Sequence, residues 1–183
     1  MVSAVAISKF VIIGTSSAGK STFAKSLSAL LGCSRIELDE LFWAPHWQQK
    51  PVEDFKALVA QATQGARWVA DGNYASVRDT LWGRADIIVW LNYSLSSVLW
   101  RGLRRAIRRS VTGEVLWHGN RESGRRTFFS RDSILLWILS THKKRIAEFE
   151  ALKTSGQYAH LNWLVFTQPA DAETWLKGMR SAI

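Results

Sequence analysis

Between Gly14 and Thr22 the chain reads GTSSAGKST, placing two glycines, a lysine and two hydroxyls directly behind the apolar run FVIIG. Gly14, Gly19, Lys20 and Ser21 satisfy G-x-x-x-x-G-K-[ST], the pattern of a phosphate-binding loop. Each residue type has a task in such a loop. The glycines let the main chain curl so that successive N–H groups, those of Ser17, Ala18 and Gly19 among them, converge on phosphate oxygens. A helix starting behind the loop adds its unpaired amides and the positive end of its dipole. Lys20 supplies a mobile charge for the β- and γ-phosphates, Ser21 a hydroxyl for Mg²⁺, and Thr22 a hydrogen bond to the α-phosphate. The expected ligand is therefore a nucleotide polyphosphate with Mg²⁺.

A phosphate-binding loop needs a carboxylate at the end of a neighbouring strand to steady the magnesium. Two residues compete. Asp71, in RWVADGNY, follows an apolar run and precedes Gly72; Asp39, in RIELDELFW, follows a shorter run. Either is also a residue that turns and helix caps use.

Arginine forms the second chemical signal. Residues 101–131 hold nine arginines against two glutamates, which is most of the net charge of +9. Arg101, Arg104, Arg105, Arg108 and Arg109 recur at i, i+3, i+4, i+7 and i+8, one side of a helix. Clustered guanidiniums repel unless anions sit among them, and their planar forks suit phosphate. The partner is a nucleotide polyphosphate, a nucleic acid gripped through the 101–131 region, or an acidic surface, unless the helix face is simply solvated. In a phosphoryl-transfer reading Arg101 binds nucleotide, while Arg105, with Arg121, Arg125 and Arg126, closes over the transferring group. Phe42, Trp43, His46 and Trp47, in DELFWAPHW, either stack on an acceptor ring or cover the core. The four histidines lack metal-ligand spacing.

These residues need a rigid frame, and the apolar pattern supplies one. KFVIIG, RIEL, RWVA, ADIIVWL and LNWLVF read as five strands. Between them, helices are expected over residues 20–31, about 51–64, about 96–109 and about 132–152, with a closing helix in DAETWLKGM. Pro51 suits a first turn and Gly32 a stop. Residues 110–130 are polar and glycine-dotted and read as a lid. Strands alternating with helices imply parallel crossovers and a sheet covered on both faces.

At 183 residues the chain is read as one domain, 1–183, with an acceptor-side segment of about 39–65. A chain of this length buries roughly 70% of its unfolded surface without staples. The lone Cys33 excludes an intrachain disulfide and is expected to be a buried, inert thiol in a reducing compartment. No apolar run reaches the ~20 residues of a membrane helix, so the expected location is the cytoplasm.

With these residues in hand, the chain resembles the P-loop nucleoside-monophosphate kinase group. Within it, the closest resemblance is to the adenylate-kinase-related topology-modulation (FlaR-type) proteins. The likeness runs through GTSSAGKST, LDELFWAPHW, WVADGNY, RADIIVWL, LWRGLRRAIRR and LWHGNRES. It implies an α/β three-layer fold with a parallel sheet in order 2-3-1-4-5, ATP with Mg²⁺ as phosphoryl donor, and an ATP-dependent phosphotransferase activity. ADGNY stands where adenylate kinases carry Asp-Gly-Phe-Pro-Arg, which gives Asp71 the magnesium-water role. Asn73 and Tyr74 replace the Phe-Pro there, and the next arginine is Arg78. Asp39 stands where related small-molecule kinases place a carboxylate facing the acceptor hydroxyl.

Overall fold

The computed structural model describes residues 9–112, 117–120 and 134–181. In chain order the elements are β1 (Lys9–Gly14), α1 (Lys20–Leu31), β2 (Ser34–Glu37), α2 (Leu38–Phe42), α3 (Val52–Ala62), β3 (Trp68–Asp71), α4 (Arg78–Trp82), β4 (Ile87–Leu91), α5 (Leu95–Thr112), α6 (Ile134–Thr154), β5 (Asn162–Phe166) and α7 (Pro169–Ser181). The strands form one all-parallel sheet in the order β2-β3-β1-β4-β5, as expected.

The sequence of β1 shows why this sheet is covered on both faces. Successive strand residues point to opposite sides, and both sets are apolar here. Val11 and Ile13 enter a core with Trp68, Ala70, Ile88, Trp90, Phe55 and Phe149. Phe10 and Ile12 enter a second core with Val69, Val89, Phe23, Leu27, Val98 and Ile138. Continuous apolar strands of this kind belong to parallel sheets under helices. Trp68 and Trp90 are fully buried core residues.

Parallel pairing brings strand ends to a common edge. Ile12 stands opposite Asp71, Glu37 opposite Asp71, and Gly14 opposite Leu91. The carboxyl ends of β2, β3, β1 and β4 thus deliver Glu37, Asp71, Gly14 and Leu91 to one rim. Ligands of open α/β sheets bind at this rim, next to the strand whose neighbours lie in opposite directions.

Three elements differ from the sequence reading. Asp39 does not end a strand: β2 stops at Glu37, and Leu38–Phe42 turn into α2, anchored by the fully buried Leu38. Five residues are too few for a helical period to show, and α4 was unreadable for the same reason. Cys33 is only partly buried, because it follows α1 at the surface; burial still moves its thiol pKa upward. Helix α6 packs through the buried Ile138, whereas Leu136, Trp137 and Leu139 are 53%, 53% and 50% exposed. The lid at 110–130 and its Arg121, Arg125 and Arg126 lie outside the described residues, apart from 110–112 and the short turn at 117–120.

Candidate active site

The loop from Gly14 to Lys20 leaves β1 and enters α1; within it the Gly14 N–H is taken by Asn73 Oδ1 at 3.3 Å and the Ala18 N–H by the Thr15 carbonyl at 3.1 Å. Gly14 adopts φ 149°, and a Cβ there would lie 2.7 Å from the Leu91 carbonyl. Only glycine lets β1 run this close to β4 at the turn. Ser17 also has positive φ, at 65°, and its buried Oγ has no hydrogen-bond partner. Helix α1 begins behind Gly19, which offers no side-chain cap. The first-turn N–H groups and a buried hydroxyl therefore face a cleft whose occupant must supply acceptors. An anion fits this requirement.

Lys20 folds back over the loop. Its Nζ donates to the carbonyls of Gly14 at 3.0 Å and Thr15 at 3.2 Å. Although the residue keeps some exposure, the ammonium itself is enclosed. Burial lowers its pKa from 10.5 to about 8; Asp39 and Asp71 oppose the shift, and the charges of Arg105 and Arg145 add to it. This cation is poorly solvated, which primes it for a phosphate.

Ser21 Oγ donates to Asp71 Oδ2 at 2.7 Å. The other carboxylate oxygen, Oδ1, accepts from Arg35 Nε at 3.3 Å and Nη2 at 3.2 Å. Arg35 also bridges Glu37 at 3.0 Å. Burial is the main force raising the pKa of Asp71, against the Ser21 hydroxyl and the Arg35 charge. The same cause raises Glu37. A hydroxyl beside carboxylates is the hard-oxygen donor set that Mg²⁺ takes. Among the described residues no three His, Cys, Asp or Glu side chains form a metal cluster. That fits an ion arriving with phosphates and held by one or two protein oxygens.

At the start of α2, Asp39 Oδ1 accepts the phenol of Tyr74 at 2.6 Å. Burial, reinforced by the Asp39 charge, keeps that phenol protonated, so Tyr74 remains a donor and orients the carboxylate. Phe42 packs on Phe55 and Tyr74, whereas Trp43 and Trp47 line the cleft. The two readings of these aromatics thus divide, with Phe42 in the core and the indoles at the opening. His46 is exposed.

Helix α5 presents its arginines in two rows. Arg101, Arg105 and Arg109 are half-buried; Trp100, Arg104 and Arg108 are exposed. All six line the same cleft, of about 1620 Å³, together with Lys20, Asp39 and Trp43. Gly102 allows the approach: it is buried, and a Cβ there would meet Ile138 Cδ1 at 2.9 Å and Ser17 Oγ at 3.3 Å. Arg101 in turn lies against Gly19 and sits over the Tyr93 ring, 5.6 Å from its centroid.

The turn at 117–120 packs against residues 40–47. Asn120 is 5% exposed; its amide donates to the Ala44 carbonyl at 3.0 Å and accepts from the Trp47 N–H at 2.9 Å. His118 bonds the Glu40 carbonyl, and the Trp117 indole bonds Glu37. His46, Trp47 and His118 all take left-handed conformations here, with φ of 61°, 57° and 55°. Such strain gathers where surrounding structure holds a segment in place.

Of the sequence candidates, Gly14, Ser17, Gly19, Lys20, Ser21, Thr22, Asp39, Asp71, Arg101 and Arg105 converge on this rim, with Ala18 buried beneath the loop. Arg125 lies outside the described residues. The sequence reading assigned no role to Arg35, Glu37, Asn120 or Trp117. Charge alternation in SRIELD was the one available signal for the first two.

No family model and no curated protein matches the sequence. Solved structures do resemble the fold. A shikimate kinase from Acinetobacter baumannii in complex with shikimate aligns with TM-score 0.53 at 17% identity, over 96% of this chain and 92% of that one. A gluconokinase from Sinorhizobium meliloti gives TM-score 0.53 at 17% identity, over 97% and 93%. A shikimate kinase from Bacteroides thetaiotaomicron gives 0.51 at 17%, over 96% and 97%. The fold is that of the P-loop kinases. At this identity the likeness concerns architecture, and the P-loop kinase fold is what positions the rim described above. No helix among the described residues is long and apolar enough to cross a membrane.

Proposed function

We propose that the protein is an ATP-dependent small-molecule kinase of the adenylate-kinase-related, topology-modulation type. It would transfer the γ-phosphoryl group of ATP to a hydroxyl- or phosphate-bearing acceptor. One observation carries the reading: an enclosed Lys20, the Ser21–Asp71 pair, the Asp39–Tyr74 pair and the inner arginine row share a single cleft.

In this reading the loop amides and Lys20 bind the phosphates, and Arg101 borders the nucleotide at Gly19. Mg²⁺, when bound, neutralises developing charge on the phosphates, and Ser21 and Asp71 would hold it or its waters. Tyr74 fixes Asp39, whose carboxylate orients the acceptor hydroxyl and takes its proton. Arg105, with Arg125 beyond the described residues, disperses charge on the group in transfer; such arginines are worth about 10³ to 10⁵ in rate. Shikimate and gluconate kinases share this architecture, so cyclic or linear hydroxy acids join nucleosides and nucleotides as acceptors to try.

The direction of the arginine rows supports a small anion over a nucleic acid. Both rows line the cleft that holds the phosphate loop and Lys20, with Arg101, Arg105 and Arg109 half-buried in it.

The test is MgATP binding by calorimetry, followed by acceptor-stimulated ADP production across nucleoside monophosphates, nucleosides, sugars and hydroxy acids. Binding with turnover on one class supports the proposal, and Lys20→Ala should abolish that turnover while the protein stays folded. Absence of MgATP binding overturns it. Binding without turnover on any class marks a silent ATP-binding protein instead. DNA affinity that falls with salt at about −0.9 per phosphate contact marks a nucleic-acid binder.

A further inference from the structure

We propose, resting on the kinase reading above, that the acceptor is an uncharged ring bearing hydroxyls, a sugar or a nucleoside. It would sit against Trp43, Trp47 and Trp117, in a site that disfavours phosphorylated or carboxylated acceptors.

Four aromatic rings run outward from the core-packed Phe42 in an edge-to-face chain. Phe42 meets Trp43 at 5.0 Å and 79°, Trp43 meets Trp47 at 5.5 Å and 84°, and Trp47 meets Trp117 at 6.5 Å and 83°. Rings set at right angles form corners. The three indoles are half-buried and line the cleft that holds Lys20 and Asp39. An indole has one polar group, its N–H, and two of these are already used. The Trp117 indole bonds Glu37, and Trp43 donates to the Tyr74 phenol, which itself donates to Asp39. What Trp43 and Trp117 offer a ligand is therefore carbon.

The middle ring is held at a cost. Trp47 takes φ 57°, which bulky side chains seldom adopt. Asn120, 73 positions away, accepts the Trp47 N–H at 2.9 Å and donates to the Ala44 carbonyl at 3.0 Å. The Ala44 N–H bonds the Gln48 carbonyl at 2.8 Å, closing the loop from the other side. A strained residue fixed this firmly, with its ring in a cleft, is a side chain being presented.

The polar groups tied to these rings are the Glu37 and Asp39 carboxylates, which accept hydrogen bonds and donate none when ionised. Arg35, the cation beside them, is closed by Glu37 at 3.0 Å and Asp71 at 3.2 Å. Of the other cations lining the cleft, Arg101 borders Gly19, Arg105 and Arg145 bear on Lys20, and Arg104 and Arg108 stand on the exposed row of α5. A ligand between the indoles and the carboxylates thus meets carbon on one side and acceptors on the other. A ring with apolar faces and hydroxyl groups satisfies both. An anionic substituent there would set acceptor against acceptor and charge against like charge. In the transfer the hydroxyl oxygen held by Asp39 bonds the γ-phosphorus. The bond from that phosphorus to the β–γ bridging oxygen breaks, ADP leaves, and the proton passes to Asp39.

The experiment titrates matched pairs into the protein by calorimetry, with and without MgADP. The pairs are glucose beside gluconate, ribose beside ribose phosphate, and adenosine and thymidine beside their monophosphates. MgATP affinity is measured alongside, and both titrations are repeated on Trp47→Ala and Trp47→Phe. One uncharged class, sugar or nucleoside, should bind at least about tenfold more tightly than its charged partners, and which class binds identifies the ring. Trp47→Ala should weaken that binding by about tenfold with MgATP affinity unchanged, and Trp47→Phe, which keeps a ring, should retain most of it. Equal or tighter binding of the charged partners overturns the assignment. So does ring binding that Trp47→Ala leaves untouched, a loss in Trp47→Ala that MgATP binding shares, or a protein that binds MgATP and none of the uncharged rings; each of these leaves the kinase reading standing. A wild type that binds no MgATP overturns the kinase reading and the acceptor role with it. Should Trp47→Ala fail to fold, the comparison of charged and uncharged partners on the wild type decides the matter alone.

Discussion

Replacing Lys20 with methionine should make the empty protein more stable while removing its affinity for MgATP. Methionine keeps the length and apolar stem of lysine and discards the charge. In the empty loop that charge is a liability, since burial lowers the pKa from 10.5 to about 8. At about 1.4 kcal/mol per unit the difference comes to roughly 3 kcal/mol against the folded state at neutral pH. The two hydrogen bonds to the Gly14 and Thr15 carbonyls are lost in the variant and take back about half. A net gain of about 1–2 kcal/mol remains, which raises Tm by roughly 4 °C for a chain of this size. The pH axis supplies the sign check. The unfolded chain keeps the Lys20 proton to about 10.5, and the folded chain releases it near 8. Between those values the unfolded state binds more protons, so wild-type stability rises with pH. The methionine variant has no such rise. Its advantage is therefore full at pH 7, shrinks above about pH 8, is gone at about pH 9 and reverses toward 10.5, where only the two lost hydrogen bonds still count. Parallel urea titrations of the two proteins across this range, with calorimetry for MgATP, measure all three quantities. A variant less stable than the wild type at pH 7, or an advantage that does not change with pH, refutes the enclosed-ammonium argument.

Three further outcomes follow from the same geometry. Gly14→Ala places a methyl group 2.7 Å from the Leu91 carbonyl at φ 149° and should cost about 3 kcal/mol, read as a fall in Tm. Asp71→Asn removes a carboxylate whose pKa burial holds above 3.8. The folded state binds more protons just above that value, so wild-type stability falls as pH rises through the window. The asparagine variant should show a flatter acid profile and no loss of stability at pH 7, but should lose the Mg²⁺-dependent part of ATP binding in a titration with and without the metal. Asn120→Ala orphans the Ala44 carbonyl and the Trp47 amide; about 2 kcal/mol of stability should go, with faster hydrogen exchange confined to residues 44–47.

Much of this molecule could be read from its sequence because two signals were long and redundant. Strands such as IIVWL are apolar on both faces, which only a doubly covered parallel sheet accommodates, and the order of alternating elements then left few topologies. The phosphate loop was legible because its chemistry depends on main-chain geometry that glycine alone permits. The rest depended on contacts between distant segments. Nothing in SRIEL says that Arg35 will reach across to Asp71 on the next strand, since strand order must be known first. Tyr74 and Asn73 sit in a stretch that reads as a turn, and their partners, Asp39 and Gly14, are 35 and 59 residues away. Helices α2 and α4 are too short to show a period. The two rows of α5 were legible as one stripe, but which row would be buried depended on Gly102 meeting Ser17 and Ile138.

The placement of the indoles has a practical consequence. Of ten tryptophans in the chain, Trp43, Trp47, Trp100, Trp117 and Trp137 line the cleft, while Trp68 and Trp90 are sealed in the core. The protein thus carries its own optical probes. Any molecule entering the opening alters the polarity or the quenching felt by the cleft indoles against the steady emission of the interior pair. Ligand screens can be run on unlabelled material, and single indole-to-phenylalanine replacements would report where along the opening each compound comes to rest.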